Sequence, residues 1–470
     1  MTAACGGGGS GGSAGVPAPA PPPANRAPAF TSATSASVAE NSVGVVYRAA
    51  ATDADGDTVT FTLAGDDASR FALTLNGELA FLTPPDFDEP GDANFDNEYR
   101  LTLTASDGRA TTAQILTVTV TNLAEGIAVR RIDQGLTNIT AIAPINETEL
   151  LIGDRGGAVS RYNLQTGAVE PLVQIGNIAP DGLLAITPTN RYPADGSFFA
   201  MYLTPQGSLI VNWYLRNPAG PYVPSNFGPV LAQPAQNYRG GGWLGRDGPD
   251  GVLALIGDAE LTGAGSSNAQ NDQSWLGKLL RIAPNPDPYA GATISFFTRS
   301  IVARGIKSPN GGAAFNGALI FADAATTGQQ EVNFYTPGTG GRNFGWPFRE
   351  GTTVIGGTPP ANLVDPVIRY QAAVLPGITG PVIGGAMGPR SIASIADHYV
   401  FADASGAIFS APADRLNAAT PLLLTAVKRR TADFTPNLGT INSPRAIVNG
   451  TDGSVLILDS DGELFIVPAS

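Results

Sequence analysis

Histidine, cysteine and lysine are nearly missing from this 470-residue chain, which holds one His, one Cys and three Lys. One histidine excludes a multi-His zinc site, a His/Asp phosphorelay and a two-His iron site. One cysteine excludes structural disulfides and thiolate clusters. Basic residues are also scarce, 27 Lys and Arg against 40 Asp and Glu for a formal charge of -13. Phosphate backbones reward Lys and Arg, so nucleic acid is not an expected partner. No apolar run reaches the roughly 18–20 residues of a spanning helix, and the body of the protein is expected to be soluble. What is abundant is small or turn-forming, with 58 Gly and 38 Pro. The length exceeds the ~250–300 residues at which single cores stop growing, which predicts two or three domains. Low charge with much Gly, Ala, Thr and Pro fits an all-β extracytoplasmic protein.

Residues 1–27 run from Met1-Thr2-Ala3-Ala4-Cys5 through a Gly/Ser tract into a Pro-rich stretch. Small residues directly before Cys5 and a Gly/Ser run after it resemble the lipobox of bacterial lipoproteins. That resemblance implies a lipidated Cys5, attachment to a membrane of the bacterial cell envelope, and a flexible spacer. The apolar stretch of a signal peptide is missing, so the recorded start is expected to lie inside a longer precursor. The plainer alternative is a free thiol in a disordered tail.

Residues 28–125 hold 15 Asp and Glu against 4 Arg, a net -11, which leaves -2 for the rest of the chain. Short alternating runs such as TVTFTL, ELAFL, YRLTLTAS and ILTVTVT are separated by DADGD, DDAS, LNG and SDGR turns. About seven short strands in a hundred residues predict an immunoglobulin-like sandwich. The acids fall in loops, as Glu40, Asp53, Asp55, Asp86, Asp88 and Asp107. Loops converge at the poles of a sandwich, and oxygen-only clusters suit Ca2+. The alternative is that these Asp residues are ordinary turn formers bonding their own backbone.

At these residues the segment resembles a cadherin repeat. NRAPAF (Asn25 to Phe30) is similar to the linker pattern, Glu40 to the Ala-Glu-Asn glutamate, Asp53/Asp55 to the Asp-x-Asp pair, and Asp86-Phe87-Asp88 to Asp-x-Glu. The resemblance implies one calcium site from Glu40, Asp86, Asp88, Asn122 and Glu125, and another from Asn25, Asp53, Asp55 and Asp107. The linker at Asn122 to Glu125 lacks the leading Asp of the pattern, and no repeat precedes this one.

From residue 127 to 470 one phrase recurs six times, near 147, 195, 249, 316, 397 and 451: turn, apolar run, turn with Gly or Asp, apolar run. Six such units at about 57 residues each predict a six-bladed β-propeller. The phrases GLLAITP (Gly182 to Pro188), GPDGVLALIGD (Gly248 to Asp258), AQNDQSWLGKLLRI (Ala269 to Ile282), RNFGWPFREG (Arg342 to Gly351) and YVFADASGAIF (Tyr399 to Phe409) resemble the glucose/sorbosone dehydrogenase family. That resemblance implies a soluble quinoprotein propeller using pyrroloquinoline quinone (PQQ) and calcium to oxidise sugars.

The same resemblance assigns the site. The family's catalytic His falls at Tyr238, a poor base at neutral pH with an ordinary phenol. Its cofactor-stacking Arg-Asn-Pro becomes Lys307-Ser308-Pro309, Asp181 stands near the usual Gln before the GLL phrase, and Arg239 adds a cation. Backbone oxygens at Ala325 and Thr326 fall in the metal loop. His398 lies elsewhere, at the start of a strand. Two functions follow as expectations. One is a calcium-binding, adhesion-type surface lipoprotein whose propeller has lost the usual base and binds a glycan, a small ligand or a cell-surface protein. The other is a PQQ-dependent sugar dehydrogenase in which Asp181, Tyr238, Arg239 or Lys307 takes a new role.

Overall fold

In this computed structural model the described residues are 24–469, apart from 218–221, 225–227, 237, 239, 249, 260–267, 287–295, 325–327, 339–340, 374 and 418–420. Residues 1–23, with Cys5 and its spacer, lie outside them, as do Arg239, Ala325 and Thr326. Strands dominate, and none of the described helices is long and apolar enough to cross a membrane. The chain divides into two compact units, one of residues 1–85 and 98–120, the other of residues 86–97 and 121–470. The expected sandwich span of 28–125 is thus split, with Asp86–Asn97 and Thr121 onward counted with the second unit.

The first unit is the predicted sandwich. Ser35–Ala39, Thr111–Thr121, Glu98–Ser106 and Thr60–Ala64 form one sheet, and Val45–Arg48, Glu78–Phe81 and Phe71–Leu73 form the other. Alternation along Glu98–Ser106 buries Tyr99, Leu101, Leu103 and Ala105 and turns the threonines outward. Period-two patterning of this kind places every second side chain in the core. Phe71, Phe81 and Tyr99 close that core, with Tyr99 edge-on to both phenylalanines at 5.5 and 5.0 Å.

The second unit is a six-bladed propeller. The innermost strands of its blades are Ile139–Asn146, Leu183–Pro188, Gly242–Asp247, Pro309–Phe315, Val382–Met387 and Pro444–Asn449. Each contacts the next in that order, and the last contacts the first. The sixth blade is completed by Arg130–Asp133, which pairs with Leu464–Val467 and so ties the start of the propeller to its end. Radial closure removes the open edges a flat sheet would expose.

The six recurring phrases are the second and third strands of each blade, for example Ala318–Asp323 with Gln329–Tyr335. Neighbouring blades cover both faces of these hairpins, so Ala318–Asp323 is buried at every position and reads as an unbroken apolar run. Each blade-to-blade interface has its own apolar cluster. Phe198 and Tyr202 meet Leu151 and Val159 between the first two blades, and Phe401 and Phe409 meet Ile320 and Phe334 between the fourth and fifth.

Candidate functional site

The six innermost strands enclose a cavity of about 300 Å³ on the propeller axis. Its polar side chains are Thr140, Thr187, Asn310, Asn449 and Thr451, together with Arg246 and Arg445, and they stand among glycines and apolar groups that include Trp243. Arg246 bridges the far ends of three strands, donating from Nη2 to Pro144 O at 2.6 Å and from Nε to Pro188 O at 3.2 Å. Arg445 stands at the opposite end, at the start of its strand. Its Nε is buried without a hydrogen-bond partner among the described residues. Burial, with the nearby Arg155, lowers its pKa, and Asp181 raises it in opposition. A guanidinium N–H left without a protein partner can donate to an oxyanion.

Tyr238, Lys307, Ser308 and Asp181, offered by the sequence for quinone chemistry, each have a partner within the protein. Tyr238 is buried, and its hydroxyl donates to Gly241 O at 2.6 Å while accepting from Gly257 N at 2.9 Å. Burial raises the phenol's pKa further, and the hydroxyl joins two glycines. Lys307, expected to meet a quinone carboxylate, is buried in an ion pair with Glu350, and its ammonium lies 4.2 Å over the Trp346 ring. Ser308 Oγ accepts from Gly241 N at 3.1 Å. Asp181 is exposed and paired with Arg155 at 3.2 Å. His398 meets Ser410 Oγ at 3.2 Å through Nδ1, and burial lowers its pKa.

Around Lys307 the fourth blade buries three carboxylates. Asp323 accepts from the backbone N–H groups of Lys307 and Ser308 at 2.9 and 2.6 Å. Glu331 accepts from Gly351 N and, at 3.1 Å, from Asn333 Nδ2. Burial, reinforced by Asp323 and Glu350, pushes the Glu331 carboxyl up to about 8 from 4.5. Its native form therefore keeps a proton that the unfolded chain has released, and stability falls as pH rises through that window. The melting temperature is expected to drop between pH 6.5 and 8, and Glu331→Gln, which keeps the acceptor for Gly351 N, is expected to flatten the slope. An unchanged slope in that variant would show that Glu331 carries no proton there.

The loop acids of residues 28–125 do not act as one set. In the first unit Asp55 accepts from Arg26 N at 2.8 Å and Nε at 3.0 Å, and Asp107 from Asn25 Nδ2 at 2.8 Å. Asp53 Oδ1 accepts from Asp55 N at 2.8 Å and closes a turn, while its Oδ2 is buried without a partner among the described residues. Glu40 is buried in the same unit. In the second unit Asp86 pairs with Lys428 at 2.6 Å, and Asp88 and Glu125 both receive Nη1 of Arg430. Asn122 donates to Asp433 at 2.9 Å. Arg430, Asp433 and Arg445 had not been singled out from the sequence, whereas Glu350 falls within the RNFGWPFREG phrase and Glu331 opens the family-like EVN phrase (Glu331 to Asn333). The one available signal was KRRTAD (Lys428 to Asp433), a cationic run in a chain with few cations.

Six blades closed around an axial cavity, in a chain that also carries an Ig-like sandwich, define a two-unit protein of the six-bladed propeller class. Residues 136–380, just over half of the chain, match the Glucose / Sorbosone dehydrogenase family, and the chain belongs to that family. Residues 25–121 match a bacterial Ig domain. Among solved structures, the apo-form soluble aldose sugar dehydrogenase of Escherichia coli is 19% identical, with 73% of this chain and 100% of that one covered at a TM-score of 0.52. A glucose dehydrogenase gives the same identity and coverage at a TM-score of 0.55. The calcium structure of a Trichoderma reesei carbohydrate-active enzyme of family AA12 is 17% identical, covering 74% of this chain and 96% of that one at 0.52. At these identities the likeness is one of fold. No curated protein sequence matches.

Proposed function

We propose that the protein is a lipid-anchored binding protein of the bacterial cell envelope, in which a dehydrogenase-type propeller recognises a ligand and does not oxidise sugars with PQQ. The observation that carries this reading is Tyr238. It stands where the family resemblance puts the catalytic base, and its hydroxyl is spent on Gly241 O and Gly257 N. Hydride transfer from a sugar carbon needs a base within hydrogen-bond reach of the hydroxyl on that carbon, to take its proton. The described residues do not fit the quinone either, because Lys307 is committed to Glu350 and Ser308 to Gly241.

The unpartnered Nε of Arg445 supports a small ligand or glycan carrying a carboxylate or similar oxyanion. Calcium belongs to the same proposal for the first unit, where the buried, unpartnered Oδ2 of Asp53 offers a ligand oxygen. Cys5 would supply the anchor to the membrane.

The test is reconstitution of the full chain with PQQ and Ca2+. No bound-quinone absorbance and no dye reduction with a panel of aldoses are the expected results. Quinone binding with aldose-dependent dye reduction would establish the dehydrogenase reading in its place.

A further inference from the structure

The acids at Asp88, Glu125 and Asp433 bring one carboxylate oxygen each within 4.8 Å of the others, close enough to share a metal ion. All three belong to the second unit. Asp88 and Asp433 are buried, and Asp88 Oδ1 and Asn122 Oδ1 are buried without partners among the described residues. Such a set would repel itself if left bare. It is not bare, because Nη1 of Arg430 donates to Asp88, to Glu125 and, at 3.1 Å, to Asp433.

Arg430 is almost fully buried, and the rest of its fork is also held. Nη2 donates to Ser394 O at 3.1 Å and Nε to Ser410 Oγ at 3.2 Å. Its own N–H donates to Ile408 O at 2.8 Å, and the neighbouring Arg429 N donates to Asp88 O at 2.7 Å. Lys428, two residues earlier, takes Asp86. The strand Lys428–Arg429 and the turn after it therefore deliver two cations to the acids for which calcium was expected from the sequence.

We infer that Arg430 is a covalently built-in replacement for a divalent cation, so that Asp88 and Glu125, two of the acids for which calcium was expected, hold a guanidinium together with Asp433. A protonated arginine cannot leave, and its planar fork bonds several carboxylates at once. Calcium of 2.3–2.6 Å bond length would have to occupy the position of Nη1. The consequence is that this part of the fold does not depend on calcium concentration, whereas removal of the guanidinium opens a site for the ion.

The test uses the full chain and its Arg430→Ala variant, with melting followed in EGTA and in millimolar CaCl2. The parent is expected to show the same propeller transition in both. Arg430→Ala is expected to melt lower in EGTA and to recover part of the loss in calcium but not in magnesium. The recovery should vanish on adding Asp88→Asn. Arg430→Lys serves as a second variant if the alanine protein does not fold. It keeps a charge but loses the fork, and an intermediate loss with a smaller calcium response is expected.

If calcium raises the melting of the parent, Asp53→Asn and Asp88→Asn assign the response. Loss of the rise in Asp53→Asn alone places the ion in the first unit and upholds the inference. Loss in Asp88→Asn overturns it, as does an Arg430→Ala protein that is indifferent to calcium.

Discussion

Lys307→Met is expected to lower the stability of the propeller by about 3–5 kcal/mol, seen as a lower denaturation midpoint with an unchanged m value. Lys307 is in ion-pair contact with Glu350, and both side chains are nearly fully buried. Asp323 and Glu331 lie in the same interior and are felt electrostatically there. Methionine can fill the volume over Trp346, so the loss reports the uncompensated carboxylate rather than a cavity. A double variant, Lys307→Met with Glu350→Leu, is expected to recover part of the loss, since a buried pair replaced on both sides can be close to neutral. If Lys307→Met is as stable as the parent, the pair does not hold the fourth blade, and a ligand-facing role for Lys307 returns to consideration.

Gly241→Ala is expected to cost about 3 kcal/mol, at the top of the range for overpacked positions. A Cβ there would lie 1.9 Å from Pro309 O and 2.9 Å from its carbonyl carbon, which are backbone atoms of the neighbouring blade. Neither can rotate away, so the innermost strands must separate. Separation would also break the bonds from Tyr238 Oη to Gly241 O and from Gly241 N to Ser308 Oγ. Calorimetry of the variant against Gly176→Ala controls for glycine replacement as such. Like Gly241, Gly176 lies outside the positive-φ region, but a Cβ there meets nothing within 4 Å. A Gly241→Ala melting temperature no lower than the control's would show that the blades can relax around the methyl group.

These two residues show how far sequence reading goes. The run Gly240–Gly242 is visible as a Gly-rich turn ahead of GPDG, but the need for it lies in contacts with Pro309 and Gly257, distant in sequence. Lys307 is legible as the counterpart of a motif arginine, yet nothing local announces Glu350, 43 residues on, as its partner. The six phrases located the central hairpin of every blade because two-sided burial makes those strands continuously apolar. The innermost strands were less legible, for their inner faces line a cavity and carry Gly, Thr and Arg. Closure by Arg130–Asp133 was not legible at all, since four residues of mixed polarity carry no periodicity.

The sequence by itself determined the classes: an acidic Ig-like sandwich, a six-bladed propeller of the glucose/sorbosone dehydrogenase family, and a polar composition with one histidine. Those follow from local patterning, turn chemistry and residue counts, which act over a few neighbouring positions. Only the tertiary structure decided what the charged residues do. The position taken for a catalytic base became a pin between two glycines, a presumed cofactor lysine became half of a buried ion pair, and Arg430 came to rest among three carboxylates. The physical reason is that a charge removed from water must find its partner in space. The partners of Asp88 and Glu125 lie more than 300 residues away along the chain.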